Sequence, residues 1–262
     1  MKPKRIFIVR HGQSKGNVNR EVYKDTPDYA VELTNTGDGE AVAVGEDMSN
    51  IIGDESVQFY VSPFWRTRQT YRGIRQSFPK HPNKYGIYKY YEDPRLREQE
   101  WTGKLPPKGF DMSMERERDA YGHFYYRFKG GESCADVFDR VGGFLNTLFR
   151  DFEKNDFPEN CIIVTHGMAM RLLLMRWFHV SVEQFELWRN PKNCEYFLLE
   201  LQNDGKYKLM TPLRIYAKRT HNFQFDYEGN KHLFPVAHSL PYVITSETEN
   251  QQKELTNWNK AV

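Results

Sequence analysis

Three short runs of consecutive apolar residues punctuate the chain: RIFIV (Arg5–Val9), QFYVS (Gln58–Ser62) and CIIVTHG (Cys161–Gly167). Continuous β-branched and aromatic hydrophobicity, without alternation, is the form of a strand covered on both faces, as in a parallel sheet. Each run is followed by a segment with helical spacing. After LTNTG (Leu33–Gly37), the positions Ala41, Val44, Met48 and Ile51 or Ile52 predict a helix to about Ile52, with Asn35 or Thr36 as its cap. A second helix is predicted over Thr67–Phe78, ended by Pro79. From Glu132 to about Lys154, Val137, Val141, Leu145, Leu148, Phe149 and Phe152 recur at three- and four-residue steps, so one face of this helix should cover the sheet. A fourth helix is predicted over Met168–Trp177, and Tyr196–Leu201 with Tyr207–Met210, separated by NDGK, reads as a late hairpin. Strands alternating with helices imply an α/β fold in three layers: a mostly parallel sheet with helices on both faces.

Two regions interrupt this pattern. Residues 103–131 are rich in charge and aromatics and are assigned to a helical insertion over the active site. Beyond about Thr220 the chain turns polar, so the expected division is a domain over 1–219 and a polar C-terminal extension over 220–262. The 262 residues suffice for one large α/β domain with a substantial core.

Composition narrows the function. Lys and Arg total 37 against 35 Asp and Glu, a net charge of +2 without long like-charged runs, which argues against a nucleic-acid partner. No apolar run approaches a membrane span, and the N-terminal MKPKRIFIV carries about five consecutive apolar residues, short of the roughly 7–15 of a signal-peptide core. Cys134, Cys161 and Cys194 are odd in number and widely spaced, which fits core residues in a reducing, cytoplasmic setting better than a disulfide framework. Assembly as a homodimer is left open.

In parallel α/β sheets, ligands bind beyond the carboxyl ends of the strands. Arg10, His11, Arg66 and His166 all fall at such ends, in FIVRHG, YVSPFWR and IVTHG, and would form a local positive pocket on a near-neutral protein. That chemistry suits a phosphoryl group: a guanidinium fork matches two non-bridging oxygens, and a neutral imidazole is a nucleophile towards phosphorus if its other nitrogen is tied down. His11 is assigned that role. Gly12 lets the backbone pass close to the phosphate and could turn its carbonyl onto the imidazole; Ser14 and Asn17 add neutral polar groups; His166 could donate to phosphoryl oxygens. A carboxyl group must protonate the leaving alkoxide and later activate water, and RLREQEWTG offers both Glu98 and Glu100. Glu132 is read as a helix-capping acid, and no metal site is expected, because two arginines would repel a cation.

These motifs, in this order, resemble the histidine phosphatase superfamily in its phosphoglycerate-mutase-like branch, from about Lys4 to Leu213. RHGQSKGN looks like the family's opening motif, with Gln13 where Glu is also common, and places the phosphorylated histidine on His11. SPFWRTRQT selects Arg66 over Arg68, and RLRE selects Glu98 over Glu100. GGESCADVFDRV is similar to the start of the family's long helix, and VTHG puts the second histidine at His166, with Gly167 beside the substrate. The resemblance implies phosphoryl transfer through a phosphohistidine, without a cofactor, on a small phosphorylated substrate. The region after the acid motif does not resemble the long proline-rich segment of the glycolytic mutases. A phosphomonoesterase is therefore expected first, a phosphoglycerate mutase second and a non-catalytic phospho-ligand binder last. The stretches ERERDAYGHFYYRFKGGES and NPKNCEYFLLEL resemble phosphoglycerate-mutase-like proteins of plants and fungi.

Overall fold

The computed structural model describes residues 2–78, 89–101 and 112–215. In chain order the elements are β1 (Arg5–Arg10), α1 (Lys15–Val18), α2 (Asn35–Ile52), β2 (Val57–Val61), α3 (Trp65–Gln76), β3 (Lys89–Glu92), α4 (Met112–Tyr121), α5 (Cys134–Phe152), β4 (Asn160–Thr165), α6 (Gly167–Phe178), α7 (Val182–Glu186), β5 (Tyr196–Leu201) and β6 (Tyr207–Leu209). The six strands form one sheet in the order β3-β2-β4-β1-β5-β6. The first four strands are mutually parallel, β5 is reversed against β1, and β6 is in turn antiparallel to β5 at one edge. The expected extension 220–262, residues 103–111 and Pro79 lie outside the described residues.

Alternate residues of the central strands supply two cores, as the period of a strand requires. Phe7, Val9, Phe59, Val61, Ile162 and Val164 face α2 and α3. Ile6, Ile8, Tyr60, Cys161 and Ile163 face α5 and α6. All three cysteines are buried and unbridged. Among the described residues, no helix is long and apolar enough to cross a membrane.

Helix boundaries differ from expectation for local reasons. Thr34, one residue earlier than expected, caps α2 by accepting from the Gly37 amide. Helix α3 begins at Trp65, which puts Arg66 in its first turn. Helix α5 is capped by Ser133 in a reciprocal box with Asp136, so Glu132 is not the cap. Its apolar stripe is as expected except at Phe149, which is 44% exposed and rests beside Trp177. The described part of the insertion comprises α4 and a segment anchored by Phe124, whose ring packs edge-on against Phe138 of α5 and Phe185 of α7.

Candidate active site

Strand register brings the two histidines together. In the parallel pairing of β1 with β4, Arg10 lies opposite Thr165, so His11 and His166 leave the sheet side by side. Their rings sit 5.2 Å apart, edge to face. The His11 amide donates to Thr165 O at 2.9 Å, which continues the ladder to the tip. Gly12 O lies 2.7 Å from His11 Nδ1, so that nitrogen carries the hydrogen and Nε2 keeps its lone pair.

Gly12 has a further role that the sequence did not disclose. A Cβ there would lie 2.4 Å from Gly37 O, and one on Gly37 would lie 2.1 Å from Gln13 O, so the loop and the start of α2 meet backbone to backbone. Helix α2 thereby backs the loop that carries His11.

Both imidazoles are held neutral. Burial, followed by the charges of Arg66 and Arg10, keeps His11 well below its ordinary 6.5. His166, with no exposed surface, is lowered in the same way by burial, then by Arg66 and His11. Ser62 Oγ lies 2.8 Å from His166 Nε2 and accepts from the Phe64 amide; when its own hydrogen is directed at Nε2, the imidazole hydrogen lies on Nδ1. That Nδ1 is buried and has no hydrogen-bond partner among the described residues; neither has Arg10 Nε. Native interiors rarely leave such donors unsatisfied outside a binding site.

The remaining residues of the opening motif divide between ligand and scaffold. Ser14 caps α1, and its hydroxyl donates to Asn17 Oδ1 at 3.0 Å, so Ser14 acts on the loop itself. Asn193 donates to both His11 O and Asn17 Oδ1, at 3.0 and 3.2 Å. With its carbonyl so engaged, exposed Asn17 has its amide hydrogens to offer. Arg10 donates to Pro191 O at 2.7 Å. The stretch NPKNC thus underlies the loop that carries His11, and the side chain of Asn190 lies 3.1 Å from where a Cβ on Gly167 would be.

Arg66 is only 4% exposed. It donates through Nη1 to the carbonyl and carboxylate of Asp28, at 2.7 and 2.9 Å, and through Nη2 to the second carboxylate oxygen at 3.3 Å. Arg68, by contrast, lies on the surface with Nε and Nη2 both on Glu92.

The acid faces these groups from an irregular loop. Glu98 is held by the Gln99 amide at 3.0 Å and the Met168 amide at 3.4 Å, the latter at the start of α6. Burial raises its pKa above the ordinary 4.5, against the opposing pull of its amide partners, Arg66 and Arg10. Glu100, also raised chiefly by burial, has Asp28, Glu132 and Arg97 as its charged influences in place of Arg66 and Arg10.

Four successive loop carbonyls have side-chain donors. Arg140 of α5 donates to Arg95 O, Arg97 O and Glu98 O at 2.7–2.9 Å, and Thr165 Oγ1 donates to Leu96 O at 2.6 Å. Glu132 completes the clamp, receiving Arg140 on both oxygens, Arg97 on one and the Glu100 amide on the other. Arg140, Asp28 and Asn193 are therefore supporting residues that motif reading did not find. Among the described residues, no group of three or more His, Cys, Asp or Glu side chains could hold a metal ion.

Comparison with known proteins agrees with this geometry. The chain is 41% identical over 219 residues to a phosphoglycerate mutase-like protein, AT74, of Arabidopsis thaliana, covering 79% of this chain and 68% of that one. It is 28% identical to the broad-range acid phosphatase DET1 of Saccharomyces cerevisiae, over 81% and 90% of the two chains. Among solved structures, a mycobacterial glucosyl-3-phosphoglycerate phosphatase shares the fold at a TM-score of 0.58 and 19% identity, over 79% of this chain and 98% of that one. The model of the histidine phosphatase superfamily, branch 1, matches residues 6–211, and the chain belongs to that family.

Proposed function

We propose that this protein is a phosphatase that hydrolyses small phosphomonoesters through a phosphohistidine on His11. The observation that carries the reading is the 2.7 Å contact between Gly12 O and His11 Nδ1, which presents a neutral Nε2 beside Arg10, Arg66 and His166. Arg10, Arg66 and the Asn17 amide bind the phosphoryl oxygens, and His166 Nδ1 donates to them as charge redistributes. His11 Nε2 forms a bond to phosphorus as the ester P–O bond breaks, and Glu98 passes its proton to the departing alkoxide. Glu98, now a carboxylate, takes a proton from water; the oxygen attacks phosphorus, the N–P bond breaks and orthophosphate leaves. A carboxyl group that burial keeps protonated above the ordinary range suits the first half of this cycle.

A mutase differs only in returning the phosphoryl group to a second hydroxyl, and the name of the Arabidopsis relative favours considering it. The name of the yeast relative favours hydrolysis. The deciding experiment incubates the protein with a chromogenic phosphate ester, then with phosphoglycerate with and without bisphosphoglycerate. Phosphate release that disappears in His11→Ala supports the phosphatase. Efficient isomerisation instead supports the mutase, and neither activity supports a binder. Chelation should leave the rate unchanged; a loss restored by added metal would contradict a metal-free reaction.

A further inference from the structure

The geometry points to Asp28 as a positioning residue that fixes the orientation of Arg66 and weakens the hold of the pocket on orthophosphate. This inference rests on the reading of Arg66 as a phosphoryl ligand. A guanidinium has two useful edges: the end formed by Nη1 and Nη2, and the side formed by Nε and Nη2. In Arg66 the end edge is engaged by the Asp28 carboxylate, at 2.9 Å to Nη1 and 3.3 Å to Nη2, and Nη1 also reaches the Asp28 carbonyl. The side edge, with Nε, makes no hydrogen bond to the protein among the described residues. Arg68 has the opposite arrangement, its side edge wholly taken by Glu92. The two arginines of one motif are thus sorted by which edge their carboxylate partner occupies, and Arg66 retains the fork that fits a phosphoryl group.

Burial makes the pairing consequential. Arg66 is 4% exposed and lies near Arg10, whose charge it opposes, so without a carboxylate it would be a buried, unpaired cation driven towards solvent. Asp28 holds it in place. Asp28 is itself partly open to solvent, its side chain 22% exposed, while its carboxylate touches the Arg66 guanidinium that would hold the anion. Its negative charge therefore also opposes a bound anion. One side chain does two separable things, orienting by its shape and repelling by its charge.

Two substitutions separate them. Asp28→Asn keeps an acceptor oxygen for Nη1 and removes the charge; Asp28→Ala removes both. Orthophosphate binding by calorimetry and steady-state kinetics on a chromogenic ester would be measured for each, alone and in an Arg66→Ala background, with thermal melting as a check on folding. Orthophosphate should bind Asp28→Asn about tenfold more tightly than wild type, with product inhibition strengthened to match. Asp28→Ala should lose about tenfold or more in kcat/KM and bind orthophosphate more weakly than Asp28→Asn. Once Arg66 is alanine the two changes should become indistinguishable from one another, each relieving only the charge and neither lowering kcat/KM further. If orthophosphate binds the wild type and both variants equally, the proposal fails while the phosphatase reading stands. A lowered melting temperature with unchanged binding and kinetics would likewise reduce Asp28 to a structural role. If the wild type itself binds no orthophosphate, the reading of the pocket falls and the proposal with it.

Discussion

The two walls of the pocket are built by different means. On one side, His11 and His166 stand at the tips of adjacent parallel strands, and sheet register alone sets them 5.2 Å apart. On the other, Glu98 sits in a loop that follows a three-residue turn of 3-10 helix, and its place depends on Arg140 and Thr165 capturing the carbonyls of residues 95–98. A strand tip inherits its rigidity from hydrogen bonds already made along the ladder. An irregular loop must find a donor for every buried carbonyl, and here a half-buried arginine with five hydrogens supplies most of them.

The difference can be probed by breaking each wall. On the strand-tip side, His11→Ala removes the proposed nucleophile and should abolish turnover to the limit of detection in a chromogenic assay. On the loop side, Glu98→Gln should slow turnover by about two to four orders of magnitude while orthophosphate still binds. Full activity in that variant would assign the acid elsewhere. Arg140→Met should cost roughly 10- to 100-fold in kcat by releasing the loop, and about 1–3 kcal/mol of stability in a denaturant titration by leaving three loop carbonyls without their donor while Glu132 keeps Arg97 and the Glu100 amide. Equal loss of orthophosphate affinity would contradict a role confined to the acid wall.

Thermal unfolding against pH sharpens the same contrast, because the walls titrate in opposite senses. The histidines are lowered from 6.5, so the unfolded chain binds more protons and stability falls as pH drops below about 6.5. Glu98 is raised from 4.5, so the folded state binds more protons and this group costs stability as pH rises above about 4.5. Glu98→Gln should therefore gain on the wild type in melting temperature as pH rises from 4 to 7, and a gap that narrows over that range would contradict the assignment. The smallest expected change is in Gly37→Ala, behind the strand-tip wall. Its added Cβ would meet Gln13 O at 2.1 Å, which should lower stability by about 1–3 kcal/mol and the rate along with it.

The contrast also explains what was legible in the sequence. RIFIV, QFYVS and CIIVTHG were readable as strands because both of their faces are buried, which leaves an uninterrupted apolar signature. The catalytic candidates on that wall were readable because they follow those runs directly. The edge strand KYYE was not, being short, polar at both ends and only partly covered. Nor were the supports: Arg140 acts on Glu98 across 42 residues, Asp28 on Arg66 across 38 and Asn193 on His11 across 182. Local pattern carries no information about such pairings. Between Glu98 and Glu100, spacing gave no decision; placement opposite Arg10 and Arg66 favours Glu98.

The central claim is that His11 Nε2 forms a bond to phosphorus, and the most direct measurement is to quench the enzyme during turnover of a labelled phosphate ester and locate the label. A phosphoryl group that is stable to base, labile to acid, carried by the peptide containing His11, enriched in Glu98→Gln and missing from His11→Ala is the predicted result. Label on another residue, or sustained hydrolysis by His11→Ala with no labelled protein, would contradict it.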